Sequence, residues 1–426
     1  MSEFVLQSWP GLKAFVSASG ANRGSHTFAG RSFKITDTTL LEVLSDGSTV
    51  SRGTIGGANF CSFADDGETM VICNGQTPYS YASNTLTQLS AITFDPVAVH
   101  YLNQQFIFTG SDNRFYVSDA GTTTVNALNT AVPESDPDGL TVAYPYNQIL
   151  YLLSSNSCEP WDNVGTGNPP FERIDGAIIE NVGCDSPHGV AQTPSAMYFI
   201  SPEGIAYRIR GYSPEQISRP AVSKAFQGYT LNNYKAFTIV FDAQRFIVFA
   251  FDEATWVFAE TVTEGGEWFE LEDRGGVWPG TSYSFAYNKH LVGCGGNVLE
   301  LDFDTFTNNG EVLTRERVLA VIAGEQLGRP RQRLEMSKLY LSLETGVGLT
   351  SGQGENPQII VQPSYDGGKT FGIETFINTG RLGETEKDVE WSNMHQFKQL
   401  VVRLKATDPV AWNLYTASID LRTVGQ

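Results

Sequence analysis

The stretch KAFTIVFDAQRFIVFAFDEATWVFAETVTEGGEWFELE, at residues 235–272, decides the fold. It predicts four short strands, at Lys235–Phe241, Arg245–Phe251, Thr255–Ala259 and Glu267–Leu271. The turns between them are Asp242-Ala243-Gln244, Asp252-Glu253 and Gly265-Gly266. Short runs with period-two alternation, bounded by Asp and Gly, are typical of antiparallel sheet. One such sheet cannot bury both of its faces alone, so similar neighbours are expected.

Six other segments repeat this pattern. They are His26–Ile55, Cys61–Ser90, Val97–Ala131, Thr141–Ile179, Val190–Val222 and Ser282–Phe303. A four-stranded unit recurring about every 35 to 50 residues is typical of a β-propeller blade. The sequence therefore predicts an all-β protein with a β-propeller. Seven blades are favoured, and six is the alternative because the fourth and fifth units are irregular.

The seventh unit contains only three predicted strands before Asn308-Asn309-Gly310, whereas Leu12–Val16 at the other end of the chain has no predicted partner. We expect Leu12–Val16 to pair near Val298–Phe303 and to close the ring, since closure removes exposed sheet edges. The predicted propeller domain is 1–310.

The pattern changes after Gly310, and Gly324–Pro330 is predicted to be a linker. Four further short strands follow, at Leu339–Leu343, Gln358–Val361, Leu400–Leu404 and Ile419–Leu421. Joined by turns that contain Gly and Asp, they predict a small antiparallel β-sandwich domain at 311–426.

The composition and the charge argue against several classes of protein. The formal charge of −19 disfavours tight binding to nucleic-acid phosphates or anionic membranes. Met1–Phe15 has no basic leader with a long apolar core, so no secretory signal is expected. The five cysteines are far apart and odd in number, which favours buried thiols in a reducing cytosol.

Residues 364–371 fit the Asp-box pattern Ser-x-Asp-x-Gly-x-Thr-aromatic. The pattern residues are Ser364, Asp366, Gly368, Thr370 and Phe371. In a hairpin turn the aspartate accepts backbone amides, and glycine takes a positive φ. Sialidase propellers carry such boxes, but this copy lies outside the propeller units, so we assign it a structural role.

No pattern in the sequence predicts a catalytic or metal site. Glycoside hydrolysis needs opposed carboxylates or a tyrosine nucleophile with an arginine cluster. The acidic residues here sit at turns, and no two of the five histidines are close in sequence. The sequence therefore predicts a protein that is not an enzyme and has no cofactor.

A local basic cluster flanks the predicted linker. It consists of Arg315, Arg317, Arg329, Arg331 and Arg333. A solvated loop is one interpretation. The functional alternative is a contact with an acidic partner or with a neighbouring copy of the chain.

Several stretches, in this order, resemble the tail hub or nozzle proteins of short-tailed bacteriophages, also called the packaged-DNA stabilisation family. They are Trp9-Pro10-Gly11, Phe241-Asp242 with Phe246–Phe249 and Trp256–Phe258, Gly295–Asp304, Tyr365–Gly372, and Phe397–Leu404 with Ala417–Leu421. The likeness covers much of residues 200–426. One departure is that only eight residues precede Trp9, where the family has more.

The resemblance implies a structural virion protein located in the tail and assembled in the cytoplasm of the bacterial host. Such proteins form a ring, typically a hexamer, below the portal and its adaptor, the head–tail connector. The ring extends the channel for duplex DNA, helps to retain the packaged genome before DNA ejection, and carries tail fibres, spikes or a needle. No enzymatic activity and no membrane partner are implied.

Two other functions remain open at this point. The Asp box also suits a sialidase-like or lectin-like propeller that binds glycans. A propeller that serves as a scaffold for protein assembly would account for the fold alone.

Overall fold

The computed structural model describes residues 6–134, 138–261, 265–328, 330, 332–392 and 395–424. Within these residues the chain is built from short β-strands, with one seven-residue α-helix and one 3₁₀ helix. It forms two compact units. Unit 1 comprises Met1–Lys13 and Leu301–Gln426, and unit 2 comprises Ala14–Glu300. The prediction of an all-β protein is confirmed.

The first three sheets after the initial strand are four-stranded antiparallel meanders. Their strands, with the initial strand β1, have the following bounds: β1 (Gly11–Val16), β2 (Asn22–Phe28), β3 (Arg31–Thr36), β4 (Thr39–Val43), β5 (Thr49–Thr54), β6 (Ser62–Asp65), β7 (Met70–Cys73), β8 (Tyr79–Ala82), β9 (Thr85–Gln88), β10 (Pro96–Leu102), β11 (Gln105–Gly110), β12 (Phe115–Ser118) and β13 (Val125–Ala131).

The fourth and fifth sheets each contain a strand of only two residues. The fourth contains β14 (Val142–Tyr146), β15 (Ile149–Leu153), β16 (Ser157–Asn163), β17 (Phe171–Arg173) and β18 (Ile179–Glu180). The fifth contains β19 (Ala191–Gln192), β20 (Met197–Ile200), β21 (Ala206–Arg210) and β22 (Ser213–Gln216). Strands of two or three residues explain why these two units look irregular in sequence.

The sixth sheet is the stretch from which the sequence argument starts. It contains β23 (Lys235–Phe241), β24 (Gln244–Ala250), β25 (Thr255–Ala259), β26 (Glu267–Asp273) and β27 (Gly276–Val277). The seventh contains β28 (Ser282–Ala286), β29 (Lys289–Cys294) and β30 (Asn297–Asp302), and β1 lies next to β30. The described residues of the propeller region thus hold seven sheets, the favoured number.

One turn of the sixth sheet is shorter than predicted. Asp242 and Ala243 both have positive φ, at 48° and 57°. Gln244 already belongs to β24, where it pairs with Phe241. Two central residues with positive φ form the hairpin turn whose twist matches that of the flanking strands. The three-residue turn predicted at Asp242-Ala243-Gln244 is therefore wrong by one residue.

The first strand of each sheet packs against the first strand of a neighbouring sheet. The contacts include β2 with β6, β6 with β10, β10 with β14, β19 with β23, and β23 with β28. Strand β2 also packs against β28, which brings the first sheet against the seventh. These strands therefore form the inner ring of a propeller.

Polar side chains join the first and seventh sheets. Asn22 Nδ2 donates to Thr281 Oγ1 at 2.7 Å and to Ser282 Oγ at 2.8 Å. The buried Lys34 donates from Nζ to the carbonyl oxygens of Gly295, at 2.7 Å, and Asn297, at 2.5 Å. Burial lowers the pKa of Lys34 to about 8. Carbonyl acceptors satisfy this ammonium, so the contact can persist in the protein interior.

A short helix that the sequence did not predict follows the fifth sheet. This helix, α1, is Pro220–Phe226, with proline at its start. Its Phe226 contacts the rings of Trp256 and Trp268 edge-on, with centroids 5.7 and 5.5 Å away. Packing stabilises a helix this short, since seven residues are too few for a helix to form alone. Assigning Val190–Val222 wholly to strands was therefore wrong at its C-terminal end.

Unit 1 contains a β-sandwich. Two short strands, β31 (Thr307–Asn308) and β32 (Glu311–Val312), extend the sheet that contains β1. The elements that follow them are β33 (Arg315–Val318), β34 (Ile322–Ala323), the 3₁₀ helix Gly324–Leu327, β35 (Leu334–Leu343), β36 (Gln358–Ser364), β37 (Thr375–Asn378), β38 (Glu390–Ser392), β39 (Gln396–Phe397), β40 (Gln399–Ala406) and β41 (Leu414–Thr423).

Two sheets enclose the core of the sandwich. One has the order β33-β40-β36-β37, and in the other β35 pairs with β38, β39 and β41. The apolar side chains of β35, β36 and β40 fill the space between them. Strand β34 pairs with β40 and leads directly into the 3₁₀ helix. The first part of the predicted linker Gly324–Pro330 is therefore structured.

Candidate assembly surface

The Asp box forms the turn after β36. Asp366 Oδ1 accepts hydrogen bonds from the backbone N–H of Lys369, at 2.9 Å, and Thr370, at 3.0 Å. Its Oδ2 accepts the Thr370 hydroxyl at 2.6 Å. The Ser364 hydroxyl donates to Asp366 Oδ1 and accepts from the Gly368 N–H. Every polar group of the pattern thus has a partner inside the turn.

The same contacts determine the electrostatics of the box. Hydrogen bonds, first of all from the Thr370 hydroxyl, hold the pKa of Asp366 well below its usual range. A carboxylate that accepts several hydrogen bonds stays ionised because the bonds favour its charged form. The Arg403 guanidinium lies 4.0 Å from the centroid of the Phe371 ring. The aromatic residue of the box therefore packs onto β40.

The arginine cluster is divided by the fold. Arg315 is 7% exposed, and its guanidinium donates to the carbonyl oxygens of Asp408 and Val410 and to the Ser8 hydroxyl. Burial lowers the pKa of Arg315 to about 10. The acceptors of its two terminal nitrogens all lie in unit 1, while its buried Nε has no hydrogen-bond partner among the described residues. The structure thus removes Arg315 from the surface on which the sequence analysis placed it.

The remaining arginines have different positions. Arg317 is exposed on β33, in one sheet of the sandwich. Arg333 is also exposed and directly precedes β35, in the other sheet. Arg329 and Arg331 lie outside the described residues. Their part in a contact stays a prediction.

A group of exposed apolar side chains was missed by the sequence analysis. Ile373 is 88% exposed, Phe376 56% and Leu382 60%. Phe376 lies on β37, which is at the edge of its sheet. We call these three residues the apolar edge. An exposed aromatic side chain on a strand that has no second partner among the described residues is suited to contact with another chain. The only sequence signal is the apolar Phe376-Ile377 pair outside the predicted strands.

Among the described residues, no group of three or more His, Cys, Asp or Glu side chains is arranged to hold a metal ion. All five cysteines are described, and each is buried and free of disulfide bonds. Burial raises the pKa of Cys61 to about 12 and that of Cys184 to about 11, which disfavours reactive thiolates.

The helices of the described residues are α1 and the 3₁₀ helix Gly324–Leu327. None of them combines the length and the apolar character that crossing a membrane would require.

Some solved structures are similar to this chain at low sequence identity. BamB from Moraxella catarrhalis is 11% identical, with a TM-score of 0.44, over 70% of this chain and 96% of that chain. The WD40 β-propeller domain of Doa1 is 12% identical, with a TM-score of 0.46, over 68% of this chain and 96% of that chain. Similarities at this level support no conclusion about function.

Two family models match the chain, one for each part. The model described as "Bacteriophage P22 Gp10, beta-propeller" matches residues 1–306. The model described as "Bacteriophage P22 Gp10, beta-sandwich" matches residues 307–422. No curated protein sequence matches significantly. The resemblance to the tail hub proteins and the order of propeller and sandwich are confirmed. The chain belongs to the bacteriophage P22 Gp10 family.

Proposed function

We propose that the chain is a subunit of a tail nozzle ring, most simply a hexamer, in a short-tailed bacteriophage. The ring would lie below the portal and its adaptor, extend the DNA channel, help to retain the packaged DNA and anchor a tail fibre, spike or needle. The observation that carries this proposal is the match of both family models, in order, over residues 1–422. Assembly in the host cytoplasm is part of the proposal.

The net charge suits a channel for DNA. Acidic residues outnumber basic ones by 47 to 28. Duplex DNA carries about one negative charge per 1.7 Å of its axis, so basic walls would hold it by many phosphate contacts. A wall with surplus carboxylates lets the DNA slide. Duplex DNA is thus a transient, non-specific partner in this proposal.

The direct test is reconstitution with the connector. The purified chain, mixed with portal–adaptor complexes, is expected to form rings on the adaptor, visible by negative-stain electron microscopy. A chain that stays monomeric and does not bind the adaptor would contradict the proposal. Hydrolysis of a fluorogenic sialoside by such a monomer would favour the glycan-active alternative instead.

The apolar edge is the surface that we assign to contact between subunits. The double variant Ile373→Asp/Phe376→Asp is expected to abolish ring formation, because two buried carboxylates would lose their hydration in the interface. Both side chains are exposed in the unassembled chain, so the free energy of unfolding of that chain should change by less than about 0.5 kcal/mol per site. Mass photometry measures assembly, and thermal unfolding checks the fold.

The matched control for this experiment is Leu128→Asp. Leu128 is 73% exposed on β13, in the propeller. This variant should form rings normally. Normal rings from the double variant, or loss of rings from the control alone, would remove the apolar edge from the interface.

We also propose that the remaining arginines of the cluster contribute to an acidic contact. The triple variant Arg329→Glu/Arg331→Glu/Arg333→Glu should weaken assembly in a manner that depends on salt. The Debye length falls from about 8 Å at physiological salt to about 3 Å at 1 M, so the difference from wild type should shrink as salt rises. Equal assembly of both proteins at low salt would refute this contribution. Arg114→Glu, on an exposed propeller turn, is the control.

A further inference from the structure

A cavity of about 490 Å³ lies at one end of the inner ring of unit 2. Its lining residues stand where first strands of the sheets begin. Asn22 starts β2, Lys235 starts β23, and Thr281 directly precedes β28. Phe60 and His188 come just before β6 and β19. The size falls within the range of about 300 to 1,000 Å³ that is usual for ligand pockets.

The chemistry of the lining differs from that of the chain as a whole. Although the chain has a large surplus of acidic residues, no carboxylate is among the described residues that line the cavity. Four asparagines line the cavity, namely Asn22, Asn59, Asn232 and Asn233. The Nδ2 groups of Asn22, Asn59 and Asn233 donate to acceptors of the chain itself, so these three offer a ligand their side-chain oxygens, and Asn232 offers its whole amide. An amide both donates and accepts hydrogen bonds, as a hydroxyl group does. The lining is therefore suited to a ligand that carries several hydroxyl groups.

Lys235 supplies positive charge to this lining. Its side chain is 13% exposed, and its ion-pair partner Asp252 is 3.8 Å away and 62% exposed. An ion pair that is this long and this exposed to solvent stabilises the Lys235 ammonium only weakly. Within the described residues, the ammonium donates no hydrogen bond, although it has three N–H groups to offer. A monovalent anion in the cavity would satisfy it.

Two rings lie next to this ammonium. The Lys235 Nζ is 5.7 Å from the centroid of Phe60, and Phe60 contacts His188 edge-on at 5.1 Å. Burial, together with the nearby Lys235, lowers the pKa of His188 to about 3, so its imidazole is neutral at pH 7. The cavity thus offers one positive charge and one aromatic face. A phosphate dianion would be held better by several cations or by a guanidinium fork.

We propose that this cavity binds a single acidic sugar, a hydroxylated ring that carries one carboxylate. The carboxylate lies against the Lys235 ammonium. The hydroxyl groups bond to the Asn232 amide and to the side-chain oxygens of the other three asparagines, and an apolar ring face packs on Phe60. The same carboxylate chemistry could come from a simple organic acid, so the test separates the two. This inference is independent of the ring proposal, since every residue it uses lies in unit 2 of one chain.

The test is saturation-transfer NMR and calorimetry on the full chain with glucuronate, N-acetylneuraminate, glucose and acetate. The acidic sugars should bind with a Kd of about 1 mM or tighter. Glucose and acetate should each bind about tenfold or more weakly, because each provides only part of the contacts. Lys235→Gln should reduce the affinity for glucuronate about tenfold and leave that for glucose unchanged.

Two further variants keep the test decisive. Asn232 is exposed at the rim, so Asn232→Leu should fold normally. It should still weaken the binding of both acidic sugars, glucuronate and N-acetylneuraminate. Lys224→Gln, an exposed lysine on α1, is the charge-matched control and should bind as wild type. The proposal is overturned if neither acidic sugar binds at about 10 mM, if acetate binds as well as glucuronate, or if Lys235→Gln binds glucuronate as wild type does.

Discussion

Deleting residues 1–18 is expected to lower the melting temperature of the propeller by about 10 °C or more and to make the protein aggregate. The deletion removes β1, which lies between β30 and β31 in its sheet. It also removes Val16, which packs with Val43, Leu291 and Val298. Each buried aliphatic side chain contributes about 1.5–3 kcal/mol to the free energy of unfolding. The edge of β30 that faces β1 would also lose its partner strand.

A synthetic peptide of residues 9–18 separates loss of pairing from general damage. Added to the truncated protein, it should restore part of the melting temperature and reduce light scattering, whereas a scrambled peptide should do neither. Calorimetry and scattering during a thermal scan give both readings. If the truncated protein melts at the wild-type temperature, closure of the seventh sheet by β1 contributes nothing to stability.

The parts of the fold that sequence predicted are those set by local patterns. Alternation and Asp or Gly turns located the strands of Lys235–Glu272 to within about two residues. Each sheet of the propeller repeats that local rule, so the repeat could be followed along the chain. The long β35 was predicted only at its C-terminal half, Leu339–Leu343, because its first residues mix charged and apolar side chains.

The missed elements depend on contacts that are distant in sequence. Helix α1 has no apolar stripe long enough to be recognised, and its Phe226 is held by Trp256 and Trp268. The apolar edge could not be recognised either, since sequence does not tell an exposed phenylalanine from a buried one. The cavity combines residues from Asn22 to Thr281, and only closure of the inner ring brings them together.

Arg315 is the plainest case of a residue whose sequence context misleads. Its neighbours Arg317 and Arg333 are exposed, so the cluster looks like one basic surface. The acceptors of its guanidinium, the carbonyls of Asp408 and Val410, are about ninety residues away in sequence. Nothing local indicates that those carbonyls converge on one arginine. Burial of a cation is decided by such partners and not by its neighbours in the chain.

Replacing this residue is the second change with a large expected effect. Arg315→Ala should destabilise the sandwich by about 3–5 kcal/mol, because it removes the guanidinium donor to the Val410 carbonyl and one of the two donors to the Asp408 carbonyl, and because it opens a cavity. Arg315→Lys should lower the free energy of unfolding by less, about 1–3 kcal/mol, since an ammonium can replace some of the hydrogen bonds of the planar guanidinium. Urea unfolding of the full chain measures the loss in free energy of unfolding. Hydrogen exchange in β40, Gln399–Ala406, which pairs with β33, shows whether the loss is local to the sandwich.

Arg317→Ala is the matched control for this prediction. It removes the same charge from the same strand, but its side chain is exposed, so the free energy of unfolding should change by about 0.5 kcal/mol or less. Hydrogen exchange in the inner-ring strand β10 should be unaffected by either variant if the sandwich unfolds by itself. Equal stability of Arg315→Ala and Arg317→Ala would mean that the guanidinium does not hold the Asp408–Val410 turn against β33, and that Arg315 belongs with the surface arginines after all.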